Sequence, residues 1–484
     1  MASTPLPENQ APFTPEEILA AAGAKQIVSP SHALRGVSTD SRAAAPGNVF
    51  VALRGDRHDG HEHLAQAIER GAKAVVVDRE VEVAPGVGVF RVDDTLAALG
   101  ALAGHHRRRY DIPLVAITGS VGKTSTKELV AAALAGIGKR VASTRGNLNN
   151  RIGVPLTLFT LGPDHDAAVI EIGMNVPGEI ADLTAITAPT IGVVTAVAEV
   201  HTEGVGGIEG VAREKGALLA GLGENAVAVW NADEPRLADY AARAPRRIGF
   251  GRVEEADVRL VRWELDGHGG TLASYRVPGR EAPLEARLAM LGESASVNAA
   301  AALAVISVID GARLEEAAAA LRAVPPAHHR MVPIELASGL LVIDDTYNAS
   351  PRSAVAALET SALLASARGG ALIAVLGDML ELGREAERLH ADVGREAVRA
   401  GARALIACGE LMTHAGRAAI NATASEPRGA RAKVVLLKSA DDAAACARDI
   451  AGERDVILVK GSRGTRMERV VDALRAGDGT RGEA

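Results

Sequence analysis

The sequence predicts an α/β protein of three domains, with a mostly parallel sheet in the second and an open, doubly wound, Rossmann-like sheet in the third. Three observations predict it. The chain has 484 residues, more than one hydrophobic core ordinarily organises. Short β-branched runs alternate with Ala/Leu-rich stretches of helical period, the pattern of parallel α/β layers. The consecutive prolines of Val324-Pro325-Pro326 break that pattern and mark a boundary, because they stop a helix. Domains are therefore expected at residues 1–110, 111–326 and 327–484.

In the first domain, strands are expected at 49–53 and 74–77, joined by an Ala-containing helix. Residues 1–13 carry three prolines and no basic region followed by an apolar run, so no signal peptide is expected there. In the second domain, strands are expected at 114–118, 168–172, 192–195 and 227–230. Between 253 and 289 the pattern turns to polar alternation with the Gly-rich turn Asp266-Gly267-His268-Gly269-Gly270. This predicts an antiparallel β insertion before a helix over 296–310. The third domain has strand candidates at 341–343, 372–376, 405–408, 434–437 and 456–459. No internal repeat is present; the Ala-rich stretches read as helices.

Composition excludes some functions. Aromatic residues make up 2%, so the cores are built from Ala, Val, Leu and Ile, and a base-stacking surface for single strands has no material. The formal charge of −7 gives no attraction to phosphate backbones or anionic lipid, and the cluster His105 to Arg109 reads as a solvated helix end. Neither a nucleic-acid partner nor stable membrane association is expected. The longest apolar stretch, 299–309, is too short to span a bilayer. Two cysteines, Cys408 and Cys446, allow no disulfide framework and no thiolate metal spacing, which fits a reducing compartment. A cytoplasmic monomer is expected.

The chemistry is carried by Thr118-Gly119-Ser120-Val121-Gly122-Lys123-Thr124-Ser125-Thr126, which follows a buried strand and opens a helix over 125–135. That is the context a phosphate loop requires. The glycines let backbone N–H groups close around phosphate oxygens, and the helix N-terminus adds partial positive charge. Lys123 would neutralise the β- and γ-phosphates, and the Thr124 hydroxyl would join a magnesium shell. The usual loop has another Gly where this chain has Ile117, so the spacing is the shorter Gly-x-x-Gly-Lys-Thr variant. Such a loop does not by itself separate a ligase from a kinase, a GTPase or a motor. Glu171 closes an apolar run and could hold magnesium beside the loop; alone, it also reads as a strand-end surface charge. His201 equally reads as a neutral loop histidine, and Lys215 as an exposed helix lysine.

Taken together, residues 118–126, Glu171, His201 and Lys215 resemble the ATP-dependent Mur ligases of peptidoglycan synthesis. Further segments resemble the MurF type of that family. These are Gly146-Asn147-Leu148-Asn149-Asn150-Arg151-Ile152-Gly153, Asp344-Asp345-Thr346-Tyr347-Asn348-Ala349-Ser350-Pro351, Leu376-Gly377-Asp378-Met379-Leu380-Glu381-Leu382-Gly383 with His390, and Lys460-Gly461-Ser462-Arg463. Thr39-Asp40-Ser41-Arg42 and Asp59-Gly60-His61 resemble the family's UDP-sugar-binding domain. The family usually has Gly-x-His-Asn where this chain has Gly292-Glu293-Ser294-Ala295, although the following Asn is kept as Asn298.

The resemblance implies ATP and Mg2+ as cofactors, with UDP-MurNAc-tripeptide and D-Ala-D-Ala as substrates. An unactivated carboxylate is a poor acylating agent, so the γ-phosphoryl of ATP would convert it to an acyl phosphate that the dipeptide amine attacks. It further implies catalytic roles for Lys123, Glu171, His201 and Lys215. Thr124 and Glu171 would hold magnesium, and His201 with a carbamylated Lys215 would support a second ion. Nucleotide contacts would come from Gly119, Ser120, Val121, Gly122, Lys123, Thr124 and Ser125, with Asn298, Arg330 and Asp345 on adenine, phosphate and ribose. Substrate contacts would come from Ser41, Arg42, Asn149, Asn150 and Asn348. The rival readings are another amide ligase of the superfamily (MurE-like or folylpolyglutamate-synthase-like), a P-loop ATPase without ligase activity, and a non-catalytic nucleotide-binding module.

Overall fold

The computed structural model describes residues 5–55, 58–198, 206–266, 269–424 and 431–478. Three main sheets follow one another along the chain. The first has five strands in the order Lys25–Val28, Gly88–Arg91, Ala74–Val77, Val49–Val51, Val37–Ser38, all parallel except the first. The Ala-containing helix between Val49–Val51 and Ala74–Val77 is Leu64–Glu69. The helix Thr95–Arg107 then fastens this unit to the next. It buries Leu99, Leu102 and Ala103, its Asp94 cap accepts from Leu96 N and Ala97 N, and Arg107 Nε donates to the Thr187 carbonyl at 3.2 Å.

The second sheet has nine strands, in the order Leu284–Leu288, Thr271–Arg276, Val258–Leu265, Arg246–Gly251, Val227–Asn231, Ile191–Val194, Leu114–Thr118, Ala167–Glu171, Val141–Ser143. Its central strands are buried along their whole length, as a parallel sheet covered on both faces demands. The expected antiparallel strands are present before the helix, but they extend the central sheet instead of forming a separate unit. Val258–Leu265 pairs parallel with Arg246–Gly251 through Phe250 and Gly251, and two hairpins then continue the same sheet to its edge. The polar alternation is that of strands with one face on the core and one in solvent.

The following helix is Gly292–Asp310, starting ahead of the expected Ser296. Residues 299–306 are wholly buried, and their small alanines let the helix lie against the phosphate-loop helix Lys123–Gly136. By length and composition alone this segment could cross a membrane, but its apolar surface is spent in the core.

The third sheet runs Val332–Glu335, Leu341–Asp345, Val456–Lys460, Leu372–Gly377, Ala404–Cys408, Lys433–Leu437. The five expected strands are present and mutually parallel. A sixth strand, Val332–Glu335, lies outside the expected set; it is an antiparallel edge strand, where its Pro333 is tolerated. Ser350 caps the helix Pro351–Ala367, with Pro351 in its first turn.

Candidate active site

Strand order turns at Leu114–Thr118: Ala167–Glu171 lies on one side and Ile191–Val194 on the other. Such a turn opens a crevice at the carboxyl ends of the strands, and residues 119–125 lie there. Gly119 has φ +150°, and a Cβ on it would stand 2.0 Å from Thr195 Oγ1. Gly122 has φ +85°, and its Cβ would stand 2.6 Å from Asn298 Oδ1. Only glycine fits either position. The loop is braced by the segment after Ile191–Val194. Ser120 N donates to the Ala196 carbonyl at 2.8 Å and Ser120 Oγ to that of Ala198 at 3.2 Å. Thr195 Oγ1 donates to the Val121 carbonyl at 2.6 Å, and Asn231 Nδ2 holds the Thr195 carbonyl at 2.7 Å.

Lys123 is half-buried at the start of its helix, and its Nζ donates to the Gly119 carbonyl at 2.7 Å. Burial pushes its pKa down; the Glu171 carboxylate opposes this and the Arg330 charge adds to it. Glu171 is 2% exposed, so it is no surface charge. Its Oε1 accepts from Asn149 Nδ2 at 2.8 Å, whereas Oε2 is buried without a hydrogen-bond partner. An orphaned carboxylate oxygen is expensive. A divalent cation would satisfy it, and the oxygen donors Thr124 and Glu171 suit magnesium. Among the described residues no group of three His, Cys, Asp or Glu could hold a metal, so phosphate and water oxygens would complete the shell. His201 lies outside the described residues.

Lys215, on the helix Gly207–Ala220, is 3% exposed rather than a surface lysine. Burial pushes its pKa to about 7, the Lys123 charge adding to the fall and Glu214 and Glu179 opposing it. A neutral amine is the form that reacts with CO2, and burial favours that form of Lys215.

The third sheet contributes from its strand ends. Asp345 Oδ2 accepts from Lys460 Nζ at 2.6 Å and Oδ1 from Met331 N at 3.2 Å. The Arg330 guanidinium lies 4.0 Å over the Tyr347 ring. Asn348 is exposed, its Oδ1 accepting from Ala349 N. The altered segment at the start of Gly292–Asp310 packs closely against the helix Pro351–Ala367, since a Cβ on Gly292 would meet Thr360 Oγ1 at 2.4 Å. Asn298 reaches the phosphate loop from the same helix.

Not every expected residue joins this cluster. Asn150 Oδ1 accepts from Ile152 N and Gly153 N, so its side chain shapes the start of the helix Gly153–Leu158. Ser41 donates to Gln66 and Arg42 pairs with Asp40, both within the first domain. Residues absent from the expected set but built into the site are Thr144, which accepts from Glu171 N at 2.9 Å, Thr195, Asn231 and Lys460.

Three family models match in succession: "Mur ligase family, catalytic domain" at 33–107, "Mur ligase middle domain" at 117–306 and "Mur ligase, glutamate ligase domain" at 329–463. The UDP-N-acetylmuramoyl-tripeptide--D-alanyl-D-alanine ligase of Escherichia coli (strain K12) is 36% identical over 447 residues, covering 91% of this chain and 94% of that protein. The chain belongs to the Mur ligase family. The Mur ligase of the same description from Mycobacterium tuberculosis (strain ATCC 25618 / H37Rv) is 36% identical over 476 residues, covering 91% of this chain and 92% of that one. Among solved Mur ligases, MurF from Acinetobacter baumannii superposes with a TM-score of 0.85 at 28% identity, covering 97% of this chain and 100% of that one. MurF from Thermotoga maritima, in complex with ADP, superposes with a TM-score of 0.78 at 27% identity, covering 92% of this chain and 98% of that one.

Proposed function

We propose that this Mur ligase joins D-alanyl-D-alanine to UDP-MurNAc-tripeptide at the expense of ATP, through an acyl phosphate. The observation that carries the chemistry is the buried, unpartnered Glu171 Oε2 beside a braced phosphate loop. The substrate pair comes from the relatives' names and their coverage of more than nine-tenths of this chain.

The tripeptide carboxylate attacks the γ-phosphorus and ADP leaves; the dipeptide amine then attacks the acyl phosphate and phosphate leaves. Phosphoryl transfer of this kind is mostly positioning and charge neutralisation. Lys123, now turned onto its own loop, swings to the β- and γ-phosphates, and Arg330 approaches them from the C-terminal side. Magnesium held by Thr124 and Glu171 would offset the negative charge of the phosphates. Lys215, whose neutral amine can add CO2 and release a proton to become a carbamate anion, would with His201 help hold a second ion. Asn298 serves adenine and Asp345 the ribose. Asn149, which orients Glu171, and Asn348 face the peptide substrates; Asn150 shapes that loop, and Ser41 and Arg42 meet the UDP-sugar.

We divide the chain into a UDP-substrate domain at 1–110, an ATP domain at 111–326 and a closing domain at 327–484 that excludes water from the acyl phosphate. We assign a monomer, and the unpaired Cys408 and Cys446 fit the cytoplasm.

Phosphate release is measured with UDP-MurNAc-tripeptide, ATP, magnesium and D-Ala-D-Ala, omitting each in turn. Turnover is expected only with all four and is abolished by Lys123→Ala. ATP turnover independent of the dipeptide, or equal turnover with single amino acids, would overturn the proposal.

A further inference from the structure

The segment joining the second and third sheets holds two non-glycine residues in the left-handed region, His329 at φ +59° and Met331 at φ +52°. They flank Arg330. Histidine enters that region more readily than most residues, but an unbranched apolar side chain such as Met331 has no local reason to. Backbone of this kind persists only where the surroundings over-determine it, and it concentrates at functional sites.

The surroundings here are two carboxylates at one strand end. Successive side chains of Leu341–Asp345 point to opposite faces, so Asp344 and Asp345 can grip different groups. His329 Nδ1 lies 2.7 Å from Asp344 Oδ2; a carboxylate oxygen accepts, so the nitrogen donates. The other oxygen, Oδ1, accepts from Thr346 Oγ1 at 2.7 Å and Thr346 N at 3.2 Å. Tyr347 N donates to the His329 carbonyl at 3.0 Å. On the far side of Arg330, Met331 N donates to Asp345 Oδ1, whose partner oxygen accepts from buried Lys460. His328 packs its ring edge-on against His329, with centroids 3.8 Å apart. Asp344 is 5% exposed and Asp345 8%, so the anchor is buried. The turn leaves the Arg330 guanidinium over the Tyr347 ring and within electrostatic reach of Lys123.

We infer that His329, through its hydrogen bond to Asp344, is a positioning residue that holds the turn aiming Arg330 at the nucleotide phosphates. This rests on the assignment of Arg330 to those phosphates. It also gives Asp344 a task distinct from that of its neighbour Asp345.

The test is a double-mutant cycle in the full-length enzyme. His329→Asn keeps a residue that tolerates left-handed backbone but removes the imidazole; Arg330→Ala removes the group it is argued to aim. Binding of a non-hydrolysable ATP analogue is measured by calorimetry, with KM for ATP, KM for UDP-MurNAc-tripeptide and the melting temperature alongside. His329→Asn is expected to weaken analogue binding about tenfold, in step with KM for ATP, to leave KM for the UDP substrate unchanged, and to add nothing to Arg330→Ala. Asp344→Asn, which keeps the shape, is expected to do the same. Equal weakening by His329→Asn with and without Arg330 would overturn the inference. So would unchanged binding in His329→Asn when Arg330→Ala alone weakens it. Unchanged binding in Arg330→Ala overturns the assignment of Arg330 itself, and this inference with it.

Discussion

Lys215→Met should leave the enzyme inactive and yet more stable at neutral pH. Burial depresses the Lys215 pKa from 10.5 to about 7. At about 1.4 kcal/mol per pH unit this amounts to about 5 kcal/mol in full. The unfolded chain keeps the proton up to the ordinary lysine range, whereas the folded chain releases it near pH 7. Between those values the unfolded state binds more protons, so stability rises with pH across that window; below it, the full cost of the buried ammonium is present. At pH 7 about half of the folded amine is already neutral, which leaves a cost of about 4 kcal/mol. Methionine has similar length and no charge. In CO2-free buffer the variant should resist urea more strongly at pH 7, by up to about 4 kcal/mol. The gain should fade as pH approaches the lysine range of about 10. Phosphate release should fall at least about a hundredfold and stay low in high bicarbonate. In Lys215→Ala, which leaves room, short carboxylates should restore part of it. A Lys215→Met protein less stable than the parent at pH 7 would refute the cost of the buried amine, and one that keeps its activity would refute its role.

Glu171→Gln keeps the shape and the Asn149 contact but removes the charge beside Lys123. Calorimetry should show analogue binding no longer strengthened by magnesium, with turnover down about a hundredfold or more; retained magnesium dependence would remove Glu171 from the metal site. Gly119→Ala forces a Cβ to 2.0 Å from Thr195 Oγ1 at φ +150° and should destabilise the protein by about 2 kcal/mol or more, read as a lowered melting temperature. An unchanged melting temperature would mean the loop is not braced by Thr195. His106 is wholly buried where the first and second sheets meet, and its pKa is pushed by burial from 6.5 to about 4. Its contribution is present above pH 6.5 and lost as pH falls toward 4, about 2 kcal/mol being gone by pH 5. His106→Gln should therefore show a shallower loss of urea resistance between pH 7.5 and 5 than the parent, and parallel losses would contradict this.

The phosphate loop was legible because its demands are local: a buried strand, two glycines, a lysine and a helix start lie within a dozen residues. The three-sheet layout was legible for a similar reason, since a parallel strand buried on both faces is an apolar run wherever it occurs. Elements defined by distant partners were not. Val332–Glu335 is a strand only because Leu341–Asp345 offers it an edge, and the run from Val258 to Leu288 belongs to the central sheet only through the short pairing of Phe250 and Gly251. The burial of Lys215 likewise comes from elsewhere. The adjacent Gly216 makes room for Tyr240, whose ring would lie 2.4 Å from a Cβ there, and nothing within residues 207–220 announces that contact.

One signal could have found more of the site. Thr118, Glu171, Asn231, Asp345 and Lys460 are all buried polar residues that end apolar parallel strands. In such a sheet both faces are covered, so a polar group can be satisfied only at a strand end, and ligands bind at the carboxyl ends. Thr118 donates to the Ile172 carbonyl, Asn231 holds the wall of the phosphate loop, and Lys460 neutralises Asp345. By that rule Asn231 and Lys460 stand beside Glu171 and Asp345 in the sequence alone. His329 does not, because its conformation depends on Asp344, 15 residues further along the chain. That dependence makes the Arg330 turn sensitive to substitutions at a strand end that would never touch the nucleotide.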